Sequence, residues 1–245
     1  MAKHVALGHR VCTMAPYHGM RTHLKALDTY SKTGQIPDID ALIKDREEEL
    51  INAAKALGVN DVRFLSHDDD ITVPDKQIIN EIADVIGDIR PDIIITRWPY
   101  DSVPAYANAT QMTLLAMDAA GGIRRGKSYR PHKVAQVFYH VWPGQTNIQE
   151  SLFPWIPTTR IDISKVSELK ERAMSKFESQ YLNECPGKET APKLADFAAL
   201  HWRVLEAEVF LASNPQVYDA LPLSKFNLDL ARMSFQEEIG LLKGI

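Results

Sequence analysis

Apolar positions along the chain fall into short blocks that alternate with longer runs of helical spacing. The clearest block is Ile93-Ile94-Ile95 inside Asp92–Trp98, β-branched and too short for a helix. It predicts a strand buried on both faces, ended by Pro99, which has no N–H for a ladder. Four other segments read the same way: His9–Pro16 between Gly8 and Pro16, Asp61–Leu65, Lys133–Trp142 before Pro143-Gly144, and the alternating Thr158–Ile163.

Helical spacing fills the intervals. Leu42, Ile43, Leu50, Ile51, Ala54 and Leu57 form one face of Asp40–Leu57 against a charged Lys-Asp-Arg-Glu-Glu-Glu face, with Gly58 as the stop. A second helix starts at Pro74 and buries Ile78, Ile79, Ile82, Val85, Ile86 and Ile89. Further helices are expected over Ala107–Ala120, over Lys165–Gln180 with Ser164 as its cap, and over Phe197–Ala212. Tyr17–Pro37 reads as a long loop with a helical turn near Leu24–Tyr30, and the residues from Pro215 onward as a tail. The opening Met-Ala-Lys-His-Val-Ala-Leu reads as the last turns of a helix closed by Gly8, so an upstream element is expected.

Strands alternating with helices predict an α/β, Rossmann-like chain: one domain over 1–245, a mostly parallel sheet and helices on both faces. Ligands of such sheets bind outside the carboxyl ends of the strands, which makes Pro99–Ala107 the first place to look for chemistry.

Composition narrows the picture only slightly. With 45% hydrophobic residues, 24% charged residues and a net charge of −4, the chain carries no electrostatic footprint for nucleic acid or an anionic membrane. No run is long enough to span a bilayer, and no secretory signal is visible. Cys12 and Cys185 lie far apart and read as reduced thiols, so a cytoplasmic protein is expected.

The sequence contains no glycine-rich phosphate cradle and no Gly-x-Ser-x-Gly elbow. His67-Asp68-Asp69-Asp70 reads either as a solvated acidic turn capping the Pro74 helix or as the beginning of a metal site with no evident third ligand. His18 lies in the loop after the first strand and is a candidate substrate contact. Arg46 is either the i,i+3 partner of Glu49 or a guanidinium aimed at a ligand oxygen. Asp101 reads as an Asx-turn residue or a ligand orienter, and Tyr106 as helix packing or a hydroxyl in the cleft.

Several segments together resemble one family. AKHVALGHRV, DREEELINAAKALGVNDVRFL, EIADVIGDIRPDIIIT, PYDSVPAYANAT, VAQVFYHVW and RIDISKVSELKERAMSKFESQ follow one another as in the LmbE-like or PIG-L deacetylases. The resemblance implies a zinc-bound water that removes the acetyl group of an N-acetylglucosamine conjugate. It also implies a His-Pro-Asp-Asp signature upstream of AKHVALGHRV, which this sequence does not contain. The third ligand is the last His of a His-Pro-Asp-His motif, and PYDSVPAYANAT places Val103, Pro104, Ala105 and Tyr106 there. Phe177-Glu178-Ser179-Gln180 stands where many members read His-x-Ser-Gln.

By that resemblance Arg46 is a substrate contact, Asp101 matches the aspartate before the histidine motif, and Tyr106 holds a ligand position. No metal ligand is therefore assigned, although the family uses zinc. Two readings follow: a zinc N-deacetylase whose third ligand is His18, His67 or His140, or a non-catalytic relative that binds an amino-sugar conjugate or serves in assembly. A homo-oligomer is an expected partner state. A missing first strand would strip two neighbours of backbone partners, so either Val11–Ala15 closes against Ile93–Thr96 or another chain completes the sheet.

Overall fold

A computed structural model of the chain describes residues 1–69, 73–124, 126, 130–140, 157–200 and 202–243. The chain opens on helix α1 (Ala2–Ala6), followed by Gly8 at φ 81°. Strand β1 (Cys12–Tyr17) leads through a 3-10 turn (Met20–Thr22) into α2 (Leu24–Thr33), a full helix where a loop with one turn is predicted. The His23 ring starts it by accepting from the Ala26 N–H, and Gly34 closes it in the left-handed region.

Helix α3 (Ile39–Ala56) follows, capped by Asp38. It leads to β2 (Asp61–His67), α4 (Lys76–Ile89), β3 (Ile93–Arg97) and α5 (Pro104–Gly121). The cap of α4 is the Asp75 carboxylate, so neither Pro74 nor the acidic turn starts that helix as expected. Pro104 takes the first turn of α5, which therefore begins three residues before the predicted Ala107.

After β4 (Gln136–His140) the predicted ending at Val141 and Trp142 lies outside the described residues. Strand β5 (Thr159–Asp162), helix α6 (Ser167–Met174) and helix α7 (Thr190–Ala199) come next. Ser164 is not the cap of α6: its hydroxyl donates to Asp162 at 2.6 Å, and α6 begins after Val166. The segment expected to be a helix over Phe197–Ala212 divides instead, because Ala207–Ala212 is strand β6. Two short helices, α8 (Lys225–Ala231) and α9 (Phe235–Lys243), finish the chain.

The fold is α/β and Rossmann-like, with its parallel part in two pieces. β1 pairs parallel with β2, and β3 pairs parallel with β4; β6 then runs antiparallel to both β4 and β5. The strand order is β1-β2 in one sheet and β3-β4-β6-β5 in the other.

One helical layer covers both pieces. Ile78, Ile82, Ala83 and Ile86 of α4 and Met112, Ala116 and Ala120 of α5 form a buried cluster. Met14 and Tyr17 of β1, Leu65 of β2 and Ile94 of β3 pack against it. Burial of these side chains is the main local stabilisation, about 1.5–3 kcal/mol for each large aliphatic. The expectation that β3 is buried on both faces fails on the other side: Ile93 is 45% and Ile95 46% exposed. The strand pairing that was to close the gap is also absent among the described residues, since β1 and β3 are not hydrogen-bonded to each other.

Candidate functional site

The loop after β1 is held by backbone groups and by α3. His18 donates its backbone N–H to the His67 carbonyl at 2.9 Å, joining the carboxyl ends of β1 and β2. Asp69, in the acidic turn after β2, accepts from the Arg21 N–H at 3.2 Å. That carboxylate thus pins the neighbouring loop instead of capping α4. Gly19 adopts φ 74°, and a Cβ there would sit 3.2 Å from the Arg46 guanidinium. Glycine is what lets the loop backbone lie directly on the arginine.

Arg46 itself is nearly buried. Its Nη1 donates to Glu49 at 2.8 Å and to Ser179 Oγ at 3.0 Å, and its guanidinium lies over the Phe177 ring at 5.6 Å. Glu49 accepts in turn from the Ser179 N–H at 2.6 Å and the Ser179 hydroxyl at 2.7 Å. Gln180 donates to Thr22 at 2.9 Å, tying the 3-10 turn Glu178–Gln180 to the loop after β1. The i,i+3 pairing of Arg46 with Glu49 is therefore present, and it ties α3 to the turn Glu178–Gln180 beneath the loop after β1.

Around this pair, three buried donors have no acceptor among the described residues: Arg46 Nε, His23 Nε2 and the Tyr17 hydroxyl. His23 is buried, and its Nδ1 is committed to accepting from Ala26. Asp45 lies 3.8 Å from His23 Nε2, too far for a hydrogen bond. Burial, with the Asp69 charge nearby, pushes the Tyr17 hydroxyl above its usual pKa and keeps its proton in place. A buried donor left unpaired costs about 1–3 kcal/mol, and a ligand carrying acceptor oxygens removes that cost.

The loop after β3 is built differently. Arg97 donates twice to Asp101 Oδ2, at 3.1 and 2.9 Å, while Asp101 Oδ1 accepts from the Val103 N–H at 2.9 Å. Asp101 is thus both an Asx-turn residue and half of a buried ion pair. Tyr106 lies in the first turn of α5, where its ring stacks under the Arg97 guanidinium at 4.6 Å. Trp98 Nε1 is the one buried donor without an acceptor in this loop among the described residues.

The residues expected to form one site thus fall into two clusters. Arg46 and the His18 loop belong to the β1–β2 side; Asp101 and Tyr106 belong to the β3 side. Glu49, Ser179, Thr22, Gln180, Asp69 and His23 join the first cluster without having been singled out as contacts. The available signals were the Arg46–Glu49 spacing and the Glu178-Ser179-Gln180 stretch, which resembles the family but has no chemistry of its own in sequence.

The donor set does not suit zinc. Among the described residues no three His, Cys, Asp or Glu side chains converge. Three of the candidate donors are otherwise engaged: His67 Nε2 with Glu81 at 2.6 Å, Asp69 with the Arg21 amide, and Asp101 with Arg97 and Val103. His140 is buried below α3, and that burial depresses its pKa to about 4. It leaves His140 neutral, in register opposite Arg97 of β3.

Comparison with known proteins agrees with this architecture. Residues 1–118 match the family model described as PIG-L: GlcNAc-PI de-N-acetylase. That match spans 118 of the 245 residues, under half of the chain. The chain is 25% identical over 138 residues to the probable N-acetyl-alpha-D-glucosaminyl L-malate deacetylase 2 of Bacillus subtilis (strain 168), spanning 55% of this chain and 57% of that relative. The chain also shares its fold with 4-carboxy-2-hydroxymuconate hydratase of Pseudomonas putida KT2440, at TM-score 0.73 and 19% identity over 90% and 91% of the two chains. N,N'-diacetylchitobiose deacetylase of Pyrococcus horikoshii superposes at TM-score 0.62 and 16% identity, covering 86% and 75%. Among the described residues no helix is long and apolar enough to cross a membrane.

Proposed function

We propose that the chain binds an amino-sugar conjugate bearing an acidic group, in the cleft between the loop after β1, α3 and the turn Glu178–Gln180. The single observation carrying this reading is the set of unpaired buried donors, Arg46 Nε, His23 Nε2 and Tyr17 Oη. Sugar hydroxyls and a carboxylate supply acceptors in the density this cleft requires, and a guanidinium is the side chain best matched to a carboxylate. The relative's substrate, an N-acetylglucosaminyl malate, joins both kinds of group in one molecule.

His18 contacts the ligand from the loop in this reading, with Asp101 and Tyr106 as the more distant wall. Hydrolysis of the acetyl amide would require a metal centre that the described residues do not assemble, so no step of that reaction is assigned to them. The second reading, N-deacetylation, is supported by the de-N-acetylase family model matched over residues 1–118 and by the relative's name.

Calorimetric titration of the 245-residue chain with N-acetyl-α-D-glucosaminyl L-malate tests the proposal. Binding is expected, weakened about ten-fold in Arg46→Lys, which keeps the charge but loses the planar fork. N-acetylglucosamine alone should bind more weakly than the malate conjugate. Absence of heat at millimolar ligand, with the fold intact by circular dichroism, would overturn it. Acetate released on adding zinc would establish the second reading.

A further inference from the structure

His23 uses its two ring nitrogens in different directions. It stands at the N-cap of α2, where Nδ1 accepts from the Ala26 N–H at 3.2 Å. A ring nitrogen that accepts carries no hydrogen, so in this arrangement the imidazole proton sits on Nε2. That N–H is buried, in a residue only 6% exposed, and has no acceptor among the described residues. The exposed Asp45 carboxylate of α3 stands 3.8 Å away, beyond hydrogen-bond distance. The capping bond thus fixes His23 as a donor toward an acceptor that the described residues do not supply.

Helix α2 is only lightly anchored. None of its ten residues is buried, and its apolar Leu24, Leu27 and Tyr30 are half exposed. A helix of this length is marginal unless an apolar face is packed. The ties that hold it are polar: Tyr181 Oη donates to Asp28 at 3.4 Å, Lys25 lies 3.8 Å from Glu178, and Gln180 reaches Thr22, just ahead of the helix, at 2.9 Å. Gly19 and Gly34, both in the left-handed region, bracket the segment. A segment with so little buried surface opens at low free-energy cost, and its first-turn cap then matters to how often it does so.

We propose, resting on the ligand reading given above, that His23 is a positioning residue that relays ligand occupancy to α2. An acceptor oxygen of the ligand on Nε2 holds the proton there, which keeps Nδ1 as the cap and orders the helix. Arg46 and Tyr17 do not make this link, since the Arg46 bonds go to Glu49 and Ser179 and the Tyr17 hydroxyl has no partner among the described residues. Coupling between two events is reciprocal. A ligand that gains about ten-fold in affinity from the Nε2 bond therefore slows the opening of α2 by about the same factor.

Asparagine and glutamine separate the two nitrogens, because Asn Oδ1 takes the place of the capping Nδ1 and Gln Nε2 that of the donating Nε2. Binding of N-acetyl-α-D-glucosaminyl L-malate to the 245-residue chain is measured by calorimetry, and exchange of the α2 amides by mass spectrometry with and without that ligand. In the wild type, saturating ligand should slow exchange over Leu24–Thr33 about ten-fold. His23→Asn should keep α2 capped in the free protein, bind about ten-fold more weakly and show no slowing at saturation. His23→Gln should bind more tightly than His23→Asn, exchange α2 faster when free, and also show no slowing. Wild-type binding that leaves α2 exchange unchanged would overturn the relay and leave the ligand reading in place. So would equal affinity of wild type and His23→Asn, or slowing that survives in His23→Asn. Absence of wild-type binding would overturn both.

Discussion

The two loops at the carboxyl ends of β1 and β3 start from similar material and finish differently. Each is set beside an arginine, a carboxylate and an aromatic ring. After β3, Arg97, Asp101 and Tyr106 satisfy one another: the guanidinium spends Nε and Nη2 on Asp101 and its face on the ring. Beside β1, Arg46 gives one Nη to Glu49 and Ser179 and its face to Phe177, and its buried Nε has no acceptor among the described residues. The first arrangement closes a loop around itself. The second holds a donor ready, and the difference lies in where each carboxylate stands relative to the guanidinium fork.

The comparison breaks most visibly at Arg46. Arg46→Ala strands Glu49 in a nearly buried position, with only Ser179 to accept from. Loss of one member of a buried pair costs about 3–5 kcal/mol, and urea denaturation should register that loss. Arg46→Lys should recover most of the stability while remaining defective in ligand binding. If Arg46→Ala costs under about 1 kcal/mol, the pair behaves as a surface pair and the contrast between the loops disappears.

Acid separates the two sides next. His140 on β4 is neutral because burial lowers its pKa to about 4, from an ordinary 6.5, with Arg97 and Lys170 opposing protonation and Glu208 favouring it. A histidine whose folded pKa is depressed binds its proton more readily when unfolded. Stability from its neutral form is therefore complete above about pH 6.5 and is lost as pH falls toward 4. The gap corresponds to roughly 3 kcal/mol at most. Urea midpoints measured from pH 7 to pH 4 should fall in the wild type, and His140→Phe should flatten part of that slope. An unchanged slope would mean that His140 is reached by water.

Much of this organisation was legible in the sequence, for identifiable reasons. The β3 block, the α3 and α4 faces and Gly58 as a stop depend on local periodicity and backbone freedom, which sequence displays directly. β6 was not legible, because Glu206-Ala207-Glu208 favours a helix in isolation. Only pairing with β4 and β5, and Lys170 opposite Glu208, makes it a strand. The same holds for the site. Arg46 with Glu49 follows from i,i+3 spacing, whereas Ser179 lies 130 positions from Glu49 and only the fold brings them together. Ile93 and Ile95 were misplaced for the converse reason: a β-branched block predicts burial, and burial needs a neighbouring strand that the described residues do not provide.

The closed loop can be opened in two steps of decreasing size. Asp101→Asn keeps an oxygen for the Val103 N–H but removes the charge beneath Arg97, a loss of roughly 2 kcal/mol for a buried charge-assisted pair. Thermal denaturation should show it, and the freed guanidinium should then bind carboxylates that the wild-type loop ignores. Tyr106→Leu keeps apolar bulk and removes only the ring face. A partly exposed cation–π contact contributes about 0.5–1 kcal/mol, so the variant should lose no more than that. Combining the two tests whether ring and carboxylate hold Arg97 together: costs that add would mean two independent contacts, while a combined cost below the sum would mean one cooperative clamp. The clamp predicts the second result, because without Asp101 the guanidinium is free to leave the ring and the Tyr106 change then has little left to remove.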